Sequence, residues 1–192
     1  MDRTRSRRPA LLAALALALV AFAGVVALAP GAAAQTNRAA QDVGLGFKGL
    51  GARIGFVDPE GASSTLDLGL HIDAGELAQN VHVSPIAEYW KVGVNGIDIK
   101  DLSLGGDLLI DFPLQDSRIT PYAGGGLGLH FLSSDLPAGG TNSRNKLGLN
   151  VQGGIRTDAM PNLALFGELR YNFVSDANQL KILGGFTYRF VY

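Results

Sequence analysis

The sequence contains no cysteine, and beyond its first 34 residues it has no apolar run long enough for a transmembrane helix. Without cysteine the chain has neither disulfide bonds nor thiolate metal sites, a composition that suits an oxidising compartment. When residues 1–34 are set aside, 12 basic and 16 acidic residues remain. This acidic balance argues against nucleic acid as a partner.

Residues 1–34 have the composition of a cleavable signal peptide. Four arginines lie between positions 3 and 8, and residues 10–28 are uncharged and almost wholly Ala, Leu and Val. Ala32, Ala33 and Ala34 supply the small residues of a cleavage site, so the pattern predicts Gln35 as the mature start. An uncleaved anchor is the alternative, because the apolar run is nearly long enough to span a bilayer. We therefore expect a signal peptide, 1–34, and one domain, 35–192.

The last twelve residues alternate with a period of two. Ile182, Gly184 and four aromatic residues form one face, whereas Lys181 and Arg189 are on the other; the aromatic residues are Phe186, Tyr188, Phe190 and Tyr192. Such alternation predicts a strand with two different environments on its faces. Chain termini usually fray, so an aromatic terminus is unusual in a soluble protein, but it fits the aromatic girdle of a membrane barrel.

The same period recurs upstream, and turn residues separate the segments. The predicted strands are Val43–Val57, Ser64–Ala74, Val81–Val92, Ile99–Phe112, Ile119–Leu132, Lys146–Arg156, Leu163–Phe173 and Lys181–Tyr192. A slip in the alternation at Gly49 indicates a β-bulge, and Pro85 must lie at a bulge or where no ladder bond is needed. Ser133–Asn145 is the longest polar connection, so we predict an extracellular loop there.

The alternation by itself does not say which face is inside. A soluble lipocalin-like barrel would turn its apolar face inward. The length of the apolar rows and the terminal aromatics favour lipid outside. The opposite face also carries seven cations and seven carboxylates, a balance that a narrow lumen needs because unpaired buried charge is costly. These residues are Lys48, Arg53, Lys146, Arg156, Arg170, Lys181 and Arg189, against Asp67, Asp73, Glu88, Asp101, Asp107, Asp111 and Glu168.

The fifth segment contains Pro121-Tyr-Ala-Gly-Gly-Gly-Leu-Gly-Leu-His-Phe. Together with the signal peptide and the aromatic C-terminal strand, it resembles the bacterial outer-membrane β-barrel domain family, in particular small OmpA/OmpX-like barrels. The resemblance implies an all-β, eight-stranded, antiparallel up-and-down transmembrane barrel in the outer membrane. It also implies lipid, lipopolysaccharide and the barrel-assembly machinery as partners, with Phe186, Tyr188, Phe190 and Tyr192 as the C-terminal assembly signature. We expect a monomer without a cofactor.

Several motifs have a structural and a functional interpretation. Residues 44–49 match a dinucleotide fingerprint by letter, but the following segment is a strand and not the helix that this site needs. The histidines are too scattered along the predicted strands for one metal site. His82 and Ser84 have the spacing of a lipid A deacylase pair but belong at the periplasmic end. Tyr89 and Trp90 are predicted as an interfacial anchor.

The inward-facing charges give the main functional expectation. Asp107, Glu168, Arg170, Lys181 and Arg189 are predicted to form a charge network in the lumen, with a proton relay or ion gate less favoured than a structural role. An eight-stranded barrel is just wide enough for its side chains to fill. We therefore expect a structural, adhesive or envelope-integrity role and no enzymatic activity. The alternatives are a narrow porin-like conduit for small or apolar solutes, and a soluble periplasmic ligand-binding barrel.

Overall fold

The alternating segments form eight antiparallel strands that pair in chain order, and β1 pairs with β8 to close a barrel. A computed structural model describes residues 44–94, 96–135 and 140–190. The strands are β1 (Gly44–Pro59), β2 (Thr65–Ala78), β3 (Val81–Val94), β4 (Ile97–Asp111), β5 (Ile119–Asp135), β6 (Thr141–Met160), β7 (Leu163–Val174) and β8 (Gln179–Arg189). The predicted signal peptide and Tyr192 lie outside the described residues. Within those ranges, no helix is long and apolar enough to cross a membrane.

The apolar rows face outward and the charged rows face the lumen. Leu68 on β2 is 48% exposed, whereas Lys181 on β8 is 0% exposed. Large apolar side chains are exposed on all eight strands, as a lipid-facing surface requires. The alternative of a soluble barrel with an apolar interior is therefore wrong for this chain.

Two irregularities lie where the sequence predicted them. The pairing of β1 with β2 shifts register between Leu45 and Gly49, which is the expected bulge. The pairing of β2 with β3 shifts between His71 and Glu76, opposite the part of β3 that contains Pro85. Pro85 therefore faces a break in the ladder, where its missing N–H leaves no bond unmade.

The predicted loop Ser133–Asn145 is wrong at both ends. β5 continues to Asp135 and β6 begins at Thr141, and the two strands stay paired throughout, with Ser133 opposite Ser143. Thr141 Oγ1 donates a hydrogen bond to Asp135 Oδ1 over 3.2 Å. The extension has polar residues on both faces, because the paired strands have water on either side beyond the bilayer. It therefore lacks the alternation of apolar and polar residues from which strands were predicted.

The two ends of the barrel differ in their connections. Gly44 and Phe190, the first and last described residues, lie at the same end as the turns 79–80, 112–118 and 161–162. We name this the periplasmic end, since single-chain bacterial barrels with an even strand number have both termini there. The paired ends of β5 and β6 extend from the opposite, outer end.

Candidate functional site

The lumen contains a cluster of charged side chains at mid-height, which we call the central cluster. Three cations and four carboxylates form it, and each residue is at most 6% exposed: Arg53, Arg170 and Lys181 with Asp67, Glu88, Asp107 and Glu168. Buried ions are costly unless their partners surround them closely. The short distances within the ion pairs therefore offset the cost of burying these charges.

Glu88 is in contact with all three cations of the central cluster. Its Oε1 lies 3.3 Å from Arg53 Nη1 and 3.4 Å from Arg170 Nη1. Its Oε2 lies 2.6 Å from Lys181 Nζ. Glu88 is on β3 and Arg170 on β7, which are four strands apart in a ring of eight. This ion pair therefore spans the full width of the lumen.

Arg170 also contacts two further carboxylates of the central cluster, Asp107 and Glu168. Its Nη2 lies 2.6 Å from Asp107 Oδ2, and its Nε donates to Glu168 Oε1 over 3.1 Å. Neutral groups complete the shell: Asn150 donates to Asp107 over 3.0 Å, and the Tyr122 hydroxyl donates to Glu168 over 2.9 Å. Both carboxylates therefore have a charged and a neutral donor.

Lys181 pairs with two carboxylates and is fully buried. Its Nζ lies 2.8 Å from Asp67 Oδ2, in addition to its contact with Glu88. Asp67 and Lys181 face each other from β2 and β8, the two strands that flank β1. Through Glu88, this pair is continuous with the arginines of the cluster.

Glycines on β5 and β6 make room for these side chains. A Cβ at Gly126 would lie 2.2 Å from Asp107 Oδ1 and 2.4 Å from the backbone oxygen of Gly106. A Cβ at Gly154 would lie 2.7 Å from the Tyr122 ring. The glycine-rich stretch of the fifth strand therefore provides space beside bulky inward neighbours.

The structure brings together four of the five predicted network residues. Asp107, Glu168 and Arg170 are in direct contact, and Lys181 reaches them through Glu88. Arg189 lies apart and requires a correction: it is near the periplasmic end, with its side chain 34% exposed, and pairs with Asp158 at 2.9 Å. It is too far along β8 to reach mid-height.

Sequence reasoning did not place Glu88, Arg53 and Asp67 in the network. All three had been assigned to the inner face by their alternation. Their partners are on strands that are not adjacent in the ring, as for Lys181 on β8 and Glu88 on β3. The stagger of the strands sets which residues share a height, and alternation within one strand carries no signal of it.

Toward the outer end, a polar layer and then an apolar cap lie above the central cluster. Asp101 Oδ2 lies 2.8 Å from His130 Nδ1 and accepts a hydrogen bond from Gln179 Nε2 over 2.7 Å. Beyond it, Trp90 packs with Val57 and other apolar side chains of the lumen. This apolar cap consists of Val57, Trp90 and Val92, and four partly buried residues pack against them: Ala62, Val94, Ile99 and Leu132.

Trp90 corrects the predicted interfacial anchor. It is 3% exposed and faces the lumen, whereas Tyr89 is 43% exposed and faces outward. Consecutive residues of a strand point to opposite faces, so the two aromatic side chains cannot share the interface. Only Tyr89 is placed for an anchoring role.

Toward the periplasm, the lumen opens into a small space of about 40 Å³. Its lining includes Arg53, His71, Leu109, Tyr122, Phe166 and Thr187. His71 Nε2 lies 2.8 Å from the Thr187 hydroxyl, and the His71 ring meets the Phe166 ring edge-on at 5.4 Å. The side chains of His71, Leu109, Phe166 and Thr187 are shorter or less polar than those of the central cluster and leave the space unfilled, whereas Arg53 and Glu168 of that cluster border it.

His82, which the sequence predicted at the periplasmic end, lies at the periplasmic mouth of the lumen. His82 Nε2 lies 3.2 Å from Asp111 Oδ2 and 3.7 Å from Glu76 Oε1. Ser84 is buried on the same face, but no hydrogen bond joins it to His82 within the described ranges. Among those residues there is also no group of three or more His, Asp or Glu side chains suited to a metal ion.

The C-terminal aromatics lie on the lipid side. Phe186 and Tyr188 are 43% and 44% exposed. Phe190 stacks on Phe47 with ring centroids 5.1 Å apart, and its N–H donates to the Lys48 carbonyl over 2.8 Å. The fourth residue of the predicted assembly signature, Tyr192, is not among the described residues.

At the outer end, beyond the apolar band, four charged side chains face outward. Lys91 Nζ lies 2.6 Å from Asp98 Oδ2, and Lys100 Nζ lies 2.6 Å from Asp135 Oδ2. The hydrogen bond between Lys100 and Asp135 raises the pKa of the lysine and lowers that of the carboxyl. Both shifts favour the charged form of the group concerned.

A family model described as opacity family porin protein matches residues 69–190, from the middle of β2 to the end of β8. The chain belongs to this family. It is accordingly a protein of the bacterial outer membrane. None of the curated proteins compared with the chain matches it.

Solved structures share the fold. Neisserial surface protein A has 24% sequence identity and a TM-score of 0.65, with 77% of this chain and 99% of that chain covered. The N-terminal β-barrel domain of OprF from Pseudomonas aeruginosa has 12% identity and a TM-score of 0.55, with 74% and 98% covered. Ail, the attachment invasion locus protein of Yersinia pestis, has 18% identity and a TM-score of 0.50, with 74% and 99% covered.

Proposed function

We propose that this protein is a structural component of the outer membrane whose lumen is closed to ions and solutes. The observation that carries this proposal is the ion pair between Glu88 and Arg170, which joins opposite walls of the barrel at 3.4 Å. Charged side chains that meet across the full width obstruct the lumen at that height. The protein would then act through its surfaces and not through its lumen.

The layers above the central cluster support the same function. Asp101 on β4 and Gln179 on β8 are also four strands apart, and a 2.7 Å hydrogen bond joins them. The apolar cap around Trp90 adds a third barrier at the outer end. An ion would have to displace all three layers, and the central cluster among them consists of mutually paired buried charges.

The role of the surfaces is envelope integrity or adhesion. The paired extension of β5 and β6 beyond the apolar band supports adhesion, because it carries polar side chains away from the membrane. A hairpin that ends in water offers edges and side chains to a partner without disturbing the barrel. We expect the protein to be monomeric, to bind lipid and lipopolysaccharide, and to be inserted by the barrel-assembly machinery through its C-terminal strand.

The experiment is a conductance recording in planar bilayers. We expect little or no steady conductance from the wild type and a small leak from Glu168→Ala, which leaves Arg53 and Arg170 with one carboxylate fewer. Glu168→Gln is the matched control, since it removes the charge but keeps the side-chain shape. A large, stable wild-type conductance would overturn the closed lumen.

A narrow conduit is the second candidate, and the space in the periplasmic half favours it. That space already admits solvent, so only the central cluster and the layers above it would have to rearrange for conduction. An enzyme is not favoured, because His82 and Ser84 face the lumen at the periplasmic end and not the lipid. The same recording separates the conduit from the closed barrel.

A further inference from the structure

The lipid-facing wall carries a wide apolar groove at and above mid-height. It extends from β8 across β1, β2 and β3 to β4, and it encloses about 510 Å³ that is open to the bilayer. Four strand spacings correspond to a width of about 19 Å. Its lining is almost entirely apolar and includes Ile54, Leu68, Leu70, Tyr89, Leu102 and Phe186.

Two alanines create the groove. Ala52 lies between Phe186 and Leu70 on the neighbouring strands, and Ala87 continues the row beyond Leu70. Of the large side chains beside them, Leu70 is 57% exposed and Phe186 is 43% exposed. Small residues within such rows leave a depression that lipid chains fill, because no water is present there.

Two lysines lie directly above the groove. Tyr89 and Leu102 are register partners at its outer edge, and Lys91 and Lys100, the next register pair on the same face, follow two residues further out. Two residues of a strand correspond to about 6–7 Å. The ammonium groups are therefore placed at the height of lipid headgroups.

Each lysine is paired diagonally with an aspartate, but the direct register partners carry like charges. Lys91 is opposite Lys100, and Asp98 is opposite Asp135, so like charges face each other in both register pairs. Like charges directly opposite one another destabilise a sheet. Each ammonium group makes one ion pair with an aspartate and has two further N–H groups to donate. A phosphate between the two lysines would accept these bonds and offset their repulsion.

We propose that this wall is a binding site for lipid A, the phosphorylated and multiply acylated anchor of lipopolysaccharide, with a phosphate on Lys91 and Lys100 and acyl chains in the groove. The width of the groove favours several chains held side by side, as in lipid A, over the two of a phospholipid. The site is at the outer end, where it faces the outer leaflet. This inference rests on the proposed binding of lipopolysaccharide, for which it names the site, and does not depend on whether the lumen conducts.

The test is lipid retention by the full-length mature barrel. Wild type is incorporated in nanodiscs of phosphatidylcholine with equal small fractions of lipid A and phosphatidylglycerol, then released into mild detergent, and bound lipids are counted by native mass spectrometry. We expect wild type to retain lipid A in preference to phosphatidylglycerol. Lys91→Gln with Lys100→Gln should lower lipid A retention at least tenfold.

Two pairs of variants separate the headgroup from the chains. Ala87→Phe fills the groove and should lower lipid A retention at least tenfold, whereas Val151→Phe on the lipid face of β6 is its matched control and should not. Arg118→Gln removes one positive charge at the periplasmic end and should also leave retention unchanged. Heat-modifiable gel mobility confirms that each variant is folded, and the lysine variants decide the matter if Ala87→Phe does not fold.

Two outcomes would overturn the proposal. Equal retention of phosphatidylglycerol and lipid A would assign the site to anionic phospholipid, and unchanged retention in the lysine variants would show that the lysines do not bind a phosphate. Neither outcome bears on the closed lumen, which conductance tests separately.

Discussion

The central cluster and the periplasmic half of the lumen differ although the same eight strands enclose both. At mid-height, Glu88 and Arg170 meet from opposite walls. Nearer the periplasm, His71 forms a hydrogen bond with Thr187, two strands away, and its ring meets that of Phe166, three strands away, and a space remains. The strand number fixes the width in both regions, so the length and charge of the inward side chains decide whether the lumen is filled.

This difference affects what a lost carboxylate costs. In the central cluster, the residues are at most 6% exposed, so a cation stripped of its carboxylate keeps most of the penalty of burial. At the edge of the periplasmic space, water can solvate the exposed cation. Glu88 and Glu168 both belong to the central cluster, but of the two only Glu168 also lines the periplasmic space. The two residues therefore offer a direct comparison.

The largest effect is expected for Glu88→Ala. Because three cations lose a partner at once, the free energy of unfolding should fall by about 3–5 kcal/mol, whereas Glu168→Ala should cost about 1–3 kcal/mol. Urea unfolding in lipid vesicles, followed by the fluorescence of the sole tryptophan, measures both. Glu88→Gln is the control for the charge itself. An equal or larger loss for Glu168→Ala would contradict the proposed access of water to its side.

A smaller loss of stability is expected when Gly126 on the lumen side of β5 is replaced, and Gly106 on β4 provides a matched control. Gly126→Ala would drive a methyl group into the Asp107 carboxylate and a backbone oxygen, and overpacking of this kind costs about 1–3 kcal/mol. Gly106→Ala, one strand away on the lipid face, meets no atom within 4 Å and should change stability by less than about 0.5 kcal/mol. The same unfolding assay compares the two. Equal effects would mean that close contact with Asp107 is not what requires a glycine.

Alternation was sufficient to predict which residues face inward, from Lys181 on β8 to Asp107 on β4. It also located the bulge at Gly49, since a slip in the period has no other simple cause in a strand. It could not predict that Glu88 meets Arg170, because that contact depends on the stagger of non-adjacent strands. It failed at Ser133–Asn145, where water on both faces removes the polarity difference on which the method relies. The proposed lipid site was equally hidden, since it arises from small residues on two different strands, Ala52 on β1 and Ala87 on β3.

The smallest effect is expected at Arg189, which tests whether the predicted network ends where the central cluster ends. Its only ion pair among the described residues is with Asp158 at 2.9 Å, and both side chains are exposed by a third or more. Pairs of this kind contribute at most about 1 kcal/mol and weaken as salt screens them. Arg189→Ala should therefore leave stability nearly unchanged and conductance at the wild-type level.

A double-mutant cycle of Arg189→Ala with Asp158→Ala isolates the pair. Its coupling energy should be below about 1 kcal/mol and should shrink further at high salt. If Arg189→Ala instead opened the lumen, or cost as much as Glu88→Ala, then Arg189 would have to act on the central cluster through the residues that line the periplasmic space. In that case the two regions of the lumen would be coupled, and the comparison between them would fail.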